Sequence, residues 1–205
     1  MESETNDTLI TALKASGVLK TTEVEKAMRT VDRADFVPAE LRPNAYLDTA
    51  LPIGYGQTIS QPTVVAFCLE LLEASPGNCV LDIGSGSGWT TVLLAHLVGE
   101  SGEVVGVERI PELVAFGQGN LAKYALQNAH IEQAGKKLGK PNDPPFDRIL
   151  VSAGTDEIPE ILKSQLAENG RMVLPIQNAI CVVNKIGTVF STNCYDGYVF
   201  VPLIT

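Results

Sequence analysis

The chain has 205 residues, of which 45% are hydrophobic and 19% are charged, a composition typical of one well-packed globular domain. Its 15 Lys and Arg residues against 24 Asp and Glu residues give a formal net charge of −9. This charge argues against a nucleic-acid partner, because such proteins usually carry a basic face. No apolar run is long enough to span a bilayer, and the acidic N-terminus is unlike a secretory signal. We therefore expect a cytoplasmic protein without a membrane partner.

The cysteines and histidines give no indication of a metal site. Cys68, Cys79, Cys181 and Cys194 form no Cys-x-x-Cys pair, and the two histidines show no metal-ligand spacing. Because two of the cysteines lie in apolar segments of a chain expected in a reducing compartment, buried free thiols are favoured over disulfides or metal ligands.

Two helices open the predicted fold, at residues 4–16 and 22–32. The second helix begins with Thr22 and Glu25, which fit the capping-box pattern of a helix N-terminus. These two residues place the N-terminal cap of the second helix at Thr22.

A stretch rich in proline and glycine follows the two helices, at residues 34–60. It also contains apolar residues that a flexible linker would lack, which favours an ordered arm packed over the rest of the protein. We therefore expect residues 1–60 to form helices and an arm over the active site. Residues 61–205 would form one globular, ligand-binding domain.

Helices and strands alternate from Pro62 onward. The predicted helices lie at 62–74, 90–99, 111–127 and 159–170. The predicted strands lie at 78–84, 103–108, 130–133, 146–153, 171–176, 179–186 and 198–204. This alternation predicts an α/β fold with a doubly wound, mostly parallel, seven-stranded sheet. Because no helix separates the last two strands, an antiparallel edge is expected.

The segment VLDIGSGSGW, residues 80–89, reads as a strand, a Gly-rich turn and the start of a helix. In open α/β sheets, ligands bind outside the carboxyl ends of the strands, and glycines let a ligand approach the backbone closely. The dinucleotide fingerprint GxGxxG would require glycine where this chain has Trp89. Gly84, Gly86 and Gly88 form a GxGxG pattern instead, which argues against a nicotinamide-dependent dehydrogenase.

Two carboxylates flank the Gly-rich turn. Asp82 lies two positions before its first glycine, where it would repel a pyrophosphate but suits an ammonium group. Glu108 ends the next strand, 20 residues after Gly88, where an acidic side chain can accept hydrogen bonds from ribose hydroxyls. An ordinary solvated carboxylate is the alternative interpretation of Glu108. Together the pattern favours S-adenosylmethionine, which carries an ammonium group and a ribose but no phosphate.

Several further segments occur in the order found in one known family. They are FVP (36–38), AYLDTALPIGYGQTISQP (45–62), LDIGSGSGW (81–89), VERI (107–110), PFDRILVSA (145–153) and FVPL (200–203). On these residues the chain resembles the protein-L-isoaspartate O-methyltransferase family, most specifically through GQTISQP. The resemblance covers the chain from about Phe36 onward. It implies a Rossmann-like methyltransferase fold that transfers a methyl group from S-adenosylmethionine to the α-carboxylate of L-isoaspartyl residues in damaged proteins and peptides.

The resemblance also implies the roles of individual residues. Ser60 would be the catalytic hydroxyl. The residues that would bind the cofactor are Gln57, Thr58, Ile59, Asp82, Gly84, Ser85, Gly86, Gly88, Glu108 and Arg109. A carboxylic acid with a pKa of about 4 is already ionised at neutral pH, so the acceptor needs no general base and Ser60 would only hold it. Ser60 could instead cap the helix that begins near Pro62.

The chain departs from the family after the third strand. Family members carry Gly-Asp-Gly there, and the Asp contacts the adenine amino group, whereas residues 133–136 here read Gln-Ala-Gly-Lys. Asn142 or Asp143 could substitute, while Lys136 and Lys137 are expected to lie in a solvated loop. Because a lost hydrogen bond costs about 0.5–1.5 kcal/mol, we expect weakened cofactor binding.

Three functional interpretations remain open from the sequence. The first is repair of isoaspartyl proteins and peptides by a monomeric enzyme. The second is a carboxyl methyltransferase for one specific peptide aspartate, and random isoaspartyl peptides would distinguish the two. The third is a degenerate, non-catalytic binding module, which the missing Asp motivates and which the intact Ser60, Asp82 and Glu108 oppose.

Overall fold

A computed structural model of the chain describes residues 5–143 and 145–204. The α-helices are α1 Asn6–Ala15, α2 Thr22–Thr30, α3 Pro62–Leu72, α4 Trp89–Val98, α5 Pro111–Leu121 and α6 Glu160–Lys163. The strands are β1 Leu51–Gly54, β2 Gln57–Ile59, β3 Cys79–Ile83, β4 Glu103–Glu108, β5 Ala129–Gln133, β6 Phe146–Val151, β7 Leu166–Ile176, β8 Ala179–Ile186 and β9 Val189–Asp196. Short 3-10 helices lie at Arg33–Phe36, Ala39–Asn44 and Ala122–Tyr124. None of the helices within these residues has the length and apolar content needed to cross a membrane.

Seven strands form one large sheet in the order β5-β4-β3-β6-β7-β8-β9. The pairs from β5 to β7 are parallel, whereas β8 pairs antiparallel with both β7 and β9. The expected doubly wound, mostly parallel seven-stranded sheet with an antiparallel edge is thereby confirmed. The strand order reverses at β3, which lies between β4 and β6. In such sheets the reversal marks where a ligand binds, outside the carboxyl ends of the strands.

The large sheet separates two apolar cores, because side chains alternate between its faces along each strand. Val80 on β3 packs into the core that contains residues of α1 to α5, whereas Leu81 packs into the core on the other face. That other face is covered by α6 and the loop between β5 and β6, through Ile161 and Leu138. Asp82 shares the face of Val80, so its carboxylate lies on the helical side of the sheet.

The two N-terminal helices are confirmed, although both are shorter than the predicted 4–16 and 22–32. Residue 4 lies outside the described residues. The N-terminal cap of α2 is Thr21 and not the predicted Thr22, because Thr21 is the last residue with an extended backbone (φ −98°). Its hydroxyl oxygen accepts a hydrogen bond from the backbone N–H of Val24 at 3.4 Å.

The arm that precedes α3 contains two of the 3-10 helices and an antiparallel hairpin of β1 and β2, which the sequence analysis did not predict. The turn of this hairpin places two glycines and Tyr55 at positive φ. Phe36 and Leu51 of the arm are buried in the core that contains α1 to α5. These buried side chains order the arm despite its high proline and glycine content.

Two predictions in the C-terminal third are wrong. The helix expected over 159–170 is only α6, because β7 already begins at Leu166 and continues through Gly170. The last strand is β9 rather than 198–204, because Gly187, at φ 59°, turns the chain straight back after β8.

The helix predicted to run from Pro111 to about Gln127 is also shorter than expected. It ends at Leu121, and a single 3-10 turn follows. Ala125 then adopts a left-handed conformation with φ 48°, which stops the helix and turns the chain into β5.

The prediction of free thiols is right for Cys68 and Cys79 and wrong for Cys181 and Cys194, which form a disulfide. The two bonded cysteines are direct partners in the register of β8 and β9. This pairing could not be predicted, because the sequence analysis placed the last strand after Cys194.

Candidate active site

Two adjoining clefts open outside the carboxyl ends of β3, β4 and β6, where the strand order reverses. The larger one, called the main cleft here, is lined by the predicted residues Gln57, Thr58, Gly84, Gly86, Glu108 and Arg109. The smaller one, called the Ser60 cleft, is lined by the predicted residues Thr58, Ile59, Ser60, Gly84, Ser85 and Gly86. Thr58, Gly84, Gly86 and Ser152 line both clefts. The structure thus brings together all the predicted site residues except Asp82 and Gly88, which line neither cleft.

The Gly-rich turn is anchored to the end of β4. The backbone N–H groups of Gly84 and Ser85 both donate to the carbonyl of Val107, at 2.9 and 3.2 Å. Gly84 and Gly86 have φ values of 77° and 51°, which residues with a Cβ atom rarely adopt. Glycine is therefore required at these two positions by the path of the backbone as well as by the clefts that they line.

Glu108 is buried, with 7% of its surface exposed, so the alternative of a solvated carboxylate is wrong. One carboxylate oxygen accepts a hydrogen bond from the backbone N–H of Gly86 at 3.0 Å, and the other accepts one from Ile110 at 2.9 Å. Because an ionised carboxylate has about four acceptor positions, Glu108 can hold the Gly-rich turn and still accept hydrogen bonds from a ligand in the main cleft.

Asp82 is fully buried beneath the clefts. Its Oδ2 atom accepts hydrogen bonds from the hydroxyls of Thr90 and Thr91, both at 2.7 Å. Its Oδ1 atom is buried and has no hydrogen-bond partner among the described residues. Burial raises the pKa of Asp82 to about 6, and the charge of Glu108 adds to the rise, whereas the hydroxyls of Thr91, Thr90 and the nearby Ser152 oppose it. The Ser152 hydroxyl makes no hydrogen bond of good geometry to the carboxylate. A buried, unpaired carboxylate oxygen beside a Gly-rich turn fits a cationic ligand group.

The raised pKa of Asp82 predicts a pH-dependent affinity for a ligand that carries an ammonium group. The ionised carboxylate attracts the cation, and its charge is lost as the pH falls through a pKa of about 6 rather than through the ordinary aspartate pKa of 3.8. We therefore expect the affinity for S-adenosylmethionine to be constant near neutral pH and to fall by up to about tenfold per unit below about pH 6. Titration calorimetry between about pH 5 and pH 7.5 measures this profile. A flat profile in the wild type, or a profile that Asp82→Asn leaves unchanged, would contradict the role of Asp82.

Gly88, at φ 85°, is the N-terminal cap residue of α4 and packs against the side of α5 rather than lining a cleft. A Cβ atom at Gly88 would lie 2.9 Å from the Ile131 side chain and 3.1 Å from the Gly117 carbonyl. A Cβ atom at Gly117 would in turn lie 2.9 Å from the Gly86 carbonyl. The absence of side chains at Gly88 and Gly117 therefore lets α5 support the Gly-rich turn from behind.

Two glycines of α5 offer a matched test of this close packing. Gly117→Ala is expected to lower the free energy of unfolding by about 1–3 kcal/mol, because the added methyl group overlaps the turn. Gly119→Ala, on the same helix with nothing within 4 Å of the added methyl group, is expected to raise it by about 0.5–1 kcal/mol. Denaturant unfolding measures both. Equal changes in the free energy of unfolding of the two variants would show that α5 is not in close contact with the Gly-rich turn.

The Ser60 hydroxyl does not cap α3. The cap position is Gln61, which makes no side-chain cap bond. The carboxylate of Asp48 takes this role instead, since it accepts hydrogen bonds from the backbone N–H of Thr63 at 2.9 Å and from the Thr63 hydroxyl at 2.7 Å. Within the described residues the Ser60 hydroxyl has no hydrogen-bond partner, and it lies in the Ser60 cleft. It is therefore available to a ligand.

Sequence reasoning missed two residues of the arm that fix the Ser60 cleft. Asp48 caps α3, and Arg33 donates to the carbonyl of Ser60 at 3.1 Å. Asp48 lies in the quoted family segment, yet its carboxylate acts across 15 residues. Arg33 lies in a segment that also contains Asp32 and Asp35, so no local pattern in the sequence indicated that it is buried.

The C-terminal segment completes the main cleft. Its residues 201–204 line the cleft, and they are held there by hydrogen bonds to Gly154. The N–H of Gly154 donates to the Val201 carbonyl and the N–H of Leu203 donates to the Gly154 carbonyl, both at 2.8 Å. This segment, predicted as a strand of the large sheet, instead forms one wall of the cleft.

The loop between β5 and β6 forms another part of the cleft wall. Lys136 and Lys137 are exposed as expected, but they line the main cleft. Neither Asn142 nor Asp143 lines it, and the Asp143 carboxylate pairs with Lys140 at 3.0 Å. No carboxylate of this loop therefore takes the place of the missing Asp. Among residues 5–143 and 145–204, no group of three or more His, Cys, Asp or Glu side chains is placed to hold a metal ion.

Comparisons with known proteins give the same assignment along the whole chain. The family model described as Protein-L-isoaspartate(D-aspartate) O-methyltransferase (PCMT) matches residues 4–205. A protein-L-isoaspartate O-methyltransferase from Methanopyrus kandleri is 41% identical over 202 residues, which cover 96% of this chain and 89% of that one. Another from Methanococcoides burtonii is 42% identical over 200 residues, which cover 96% of this chain and 98% of that one.

A solved structure is similar over nearly its full length. It is a Plasmodium falciparum protein assigned as a protein-L-isoaspartate O-methyltransferase, in complex with S-adenosyl-L-homocysteine. It is 28% identical with a TM-score of 0.86, and the match covers 98% of both chains. The match of the family model and the identity of the relatives establish that this chain belongs to the protein-L-isoaspartate (D-aspartate) O-methyltransferase family.

Proposed function

We propose that this protein transfers a methyl group from S-adenosylmethionine to the α-carboxylate of L-isoaspartyl residues in damaged proteins and peptides. The observation that carries the proposal is the uncommitted hydroxyl of Ser60. It lies in a small cleft that shares Thr58, Gly84 and Gly86 with the main cleft. A methyl donor in the main cleft and a carboxylate acceptor at Ser60 would therefore meet at these shared residues.

The main cleft has the groups that the cofactor requires. Glu108 lines the cleft and has free acceptor positions for the ribose hydroxyls. The carboxylate of Asp82 is buried beneath the cleft, where its charge would attract the ammonium group without lining the cleft. Arg109 lines the same cleft and donates to the Gly135 carbonyl at 2.9 Å, which fixes the loop on the adenosine side. When bound there, S-adenosylmethionine would supply a methyl group on a positively charged sulfur.

The acceptor side needs orientation rather than a base. The isoaspartyl carboxylate, with a pKa of about 4, is ionised at neutral pH. A hydrogen bond from the Ser60 hydroxyl would hold one oxygen and direct the other toward the methyl group. The buried side chains of Ile53 and Ile59, on the β1–β2 hairpin, restrict water on this side of the cleft. The protein contributes to such a reaction in two ways: it positions the carboxylate against the methyl group, and it removes water from the two reacting groups.

We further propose that residues 1–60 act as the arm over the site and that residues 61–205 bind the cofactor. We also propose that the protein works as a cytoplasmic monomer, which makes the Cys181–Cys194 disulfide an exception to the reduced thiols usual in that compartment. Light scattering at the concentration used for activity measurements tests the monomer directly.

The decisive experiment is transfer of labelled methyl groups to short isoaspartyl peptides of several sequences, with the matching aspartyl peptides as controls. The proposal expects label on all the isoaspartyl peptides and on none of the aspartyl ones. Label on a single sequence would favour a methyltransferase with one specific partner. No label, together with no cofactor binding by calorimetry, would favour the non-catalytic module that the missing Asp suggests.

A further inference from the structure

Arg33 is a fully buried guanidinium that binds backbone carbonyls only. It follows α2, at the start of the first 3-10 helix, and none of its surface is exposed. The carbonyls of the arm that accept its hydrogen bonds belong to Ala45, at 2.6 Å, Leu47, at 3.1 Å, and Thr49, at 2.8 Å. A fourth bond, at 3.1 Å, goes to the carbonyl of Ser60. One side chain thus joins three positions of the arm to the residue proposed to hold the substrate.

The charge of Arg33 is not balanced by a direct ion pair. No carboxylate of the described residues lies within 4.0 Å of its nitrogens. Burial lowers the pKa of Arg33 to about 10, so the group stays charged at neutral pH. Its guanidinium lies 5.3 Å from the ring centroid of Trp89, and Trp89 lines the Ser60 cleft. Burying a charge without a carboxylate is costly. Four carbonyls and an aromatic ring offset part of this cost, whereas the buried Nε atom of Arg33 has no hydrogen-bond partner among the described residues.

We propose that Arg33 is a positioning residue for the methyl acceptor, which it serves by holding the backbone of Ser60 against the arm and Trp89. This inference rests on the proposed function. The carbonyl of Ser60 is fixed by Arg33, and the helix that follows is fixed by the Asp48 carboxylate. With the backbone held from both sides, the Cα–Cβ bond of Ser60 has a fixed direction, and the hydroxyl is confined to the few positions that its rotamers allow. Since displacement of a reacting group by 1 Å can cost about 100-fold in rate, Arg33 would act on turnover without touching the substrate.

Three variants separate this role from a general contribution to stability. Arg33→Lys keeps the charge but presents a single nitrogen to four carbonyls, and Arg33→Ala removes the group. Arg171→Lys is the control, because Arg171 also donates to a backbone carbonyl, that of Leu71 at 2.9 Å, and lines neither cleft. Unlike Arg33, it also binds the side chains of Asn184 and Glu73.

Two measurements are made on each variant. Steady-state kinetics gives kcat and KM for an isoaspartyl peptide, and calorimetry gives the Kd of S-adenosylmethionine. We expect Arg33→Lys to lower kcat/KM for the peptide by about tenfold or more and to leave the cofactor Kd within about twofold, since Arg33 does not line the main cleft. Added methylguanidinium should restore part of the activity of Arg33→Ala and of no other variant. Equal loss of activity in the Arg33 and Arg171 variants at matched thermal stability would overturn the proposal, and so would an Arg33→Lys enzyme with unchanged kcat/KM.

Hydrogen exchange keeps the test independent of the proposed function. In Arg33→Lys the amides of residues 45–60 should lose protection while those of β3 and β4 keep theirs. If the wild type methylates no isoaspartyl peptide, the proposed function fails, and an unchanged exchange pattern in this segment would separately refute the role of Arg33. If Arg33→Ala does not fold, Arg33→Lys and the exchange measurement still decide the matter.

Discussion

Ser60→Ala is expected to lower kcat/KM for an isoaspartyl peptide by roughly 10- to 150-fold, which corresponds to the loss of one hydrogen bond to a charged group, about 1.5–3 kcal/mol. Cofactor affinity and thermal stability should stay close to those of the wild type. The physical reason is that the Ser60 hydroxyl binds no other described residue, so its removal leaves no internal donor or acceptor unpaired. Methyl-transfer kinetics, calorimetry and thermal unfolding of the same preparation measure the three quantities.

Asp48→Ala is the matched control for the capping role. It removes the carboxylate that binds Thr63, so it should lower the free energy of unfolding by about 0.5–2 kcal/mol. If Ser60→Ala lost stability in the same way and lost activity only in proportion, the hydroxyl would be a structural group. The free hydroxyl would then have no bearing on the chemistry.

Glu108→Gln is expected to raise the Kd of S-adenosylmethionine by roughly 10- to 150-fold, because charge-assisted hydrogen bonds are worth about 1.5–3 kcal/mol each. The substitution keeps the shape of the side chain but replaces one acceptor oxygen by an NH2 group. That group would face the backbone N–H of either Gly86 or Ile110, both of which now donate to the carboxylate. The Gly-rich turn should loosen as well, so thermal stability should fall together with affinity.

Glu103→Gln provides the control for this loss of charge. Glu103 begins the strand that Glu108 ends, and 60% of its side chain is exposed. It should change neither the Kd nor the melting temperature beyond the effects usual for surface substitutions. Cofactor affinity that survived Glu108→Gln would show that the carboxylate serves the turn alone and that the ribose is bound by other groups.

The parts of the fold that are set locally could be predicted from the sequence. The apolar run at β3, the glycines after it and Pro111 at the start of α5 each determine the conformation of their own neighbourhood. The final strand was misplaced because residues 198–204, like the observed strand at 189–196, contain residues that favour strands. Which of them pairs depends on the turn at Gly187, which brings β9 directly onto β8.

The residues of the site likewise divide into those set by the local sequence and those set by contacts with distant parts of the chain. Asp82 and Glu108 could be predicted because each lies at a fixed distance from the glycines at the end of a strand. Arg33 and the cap at Asp48 could not, because their partners lie 12 to 27 residues away in the chain. Contacts over such distances depend on how the arm folds back, and no short pattern encodes that path.

The partners of Arg33 have a consequence for how freely the arm can vary in sequence. Every amino acid supplies a backbone carbonyl, so the hydrogen bonds of the guanidinium depend on the backbone conformation of the arm and not on the identity of its side chains. Leu47 and Thr49 contribute only their carbonyls to Arg33, and their side chains are exposed. Libraries that randomise these two positions should therefore contain many folded and active members, and they could be used to alter which proteins the enzyme accepts. This freedom of the arm depends on the guanidinium of Arg33, to which the carbonyls are bound.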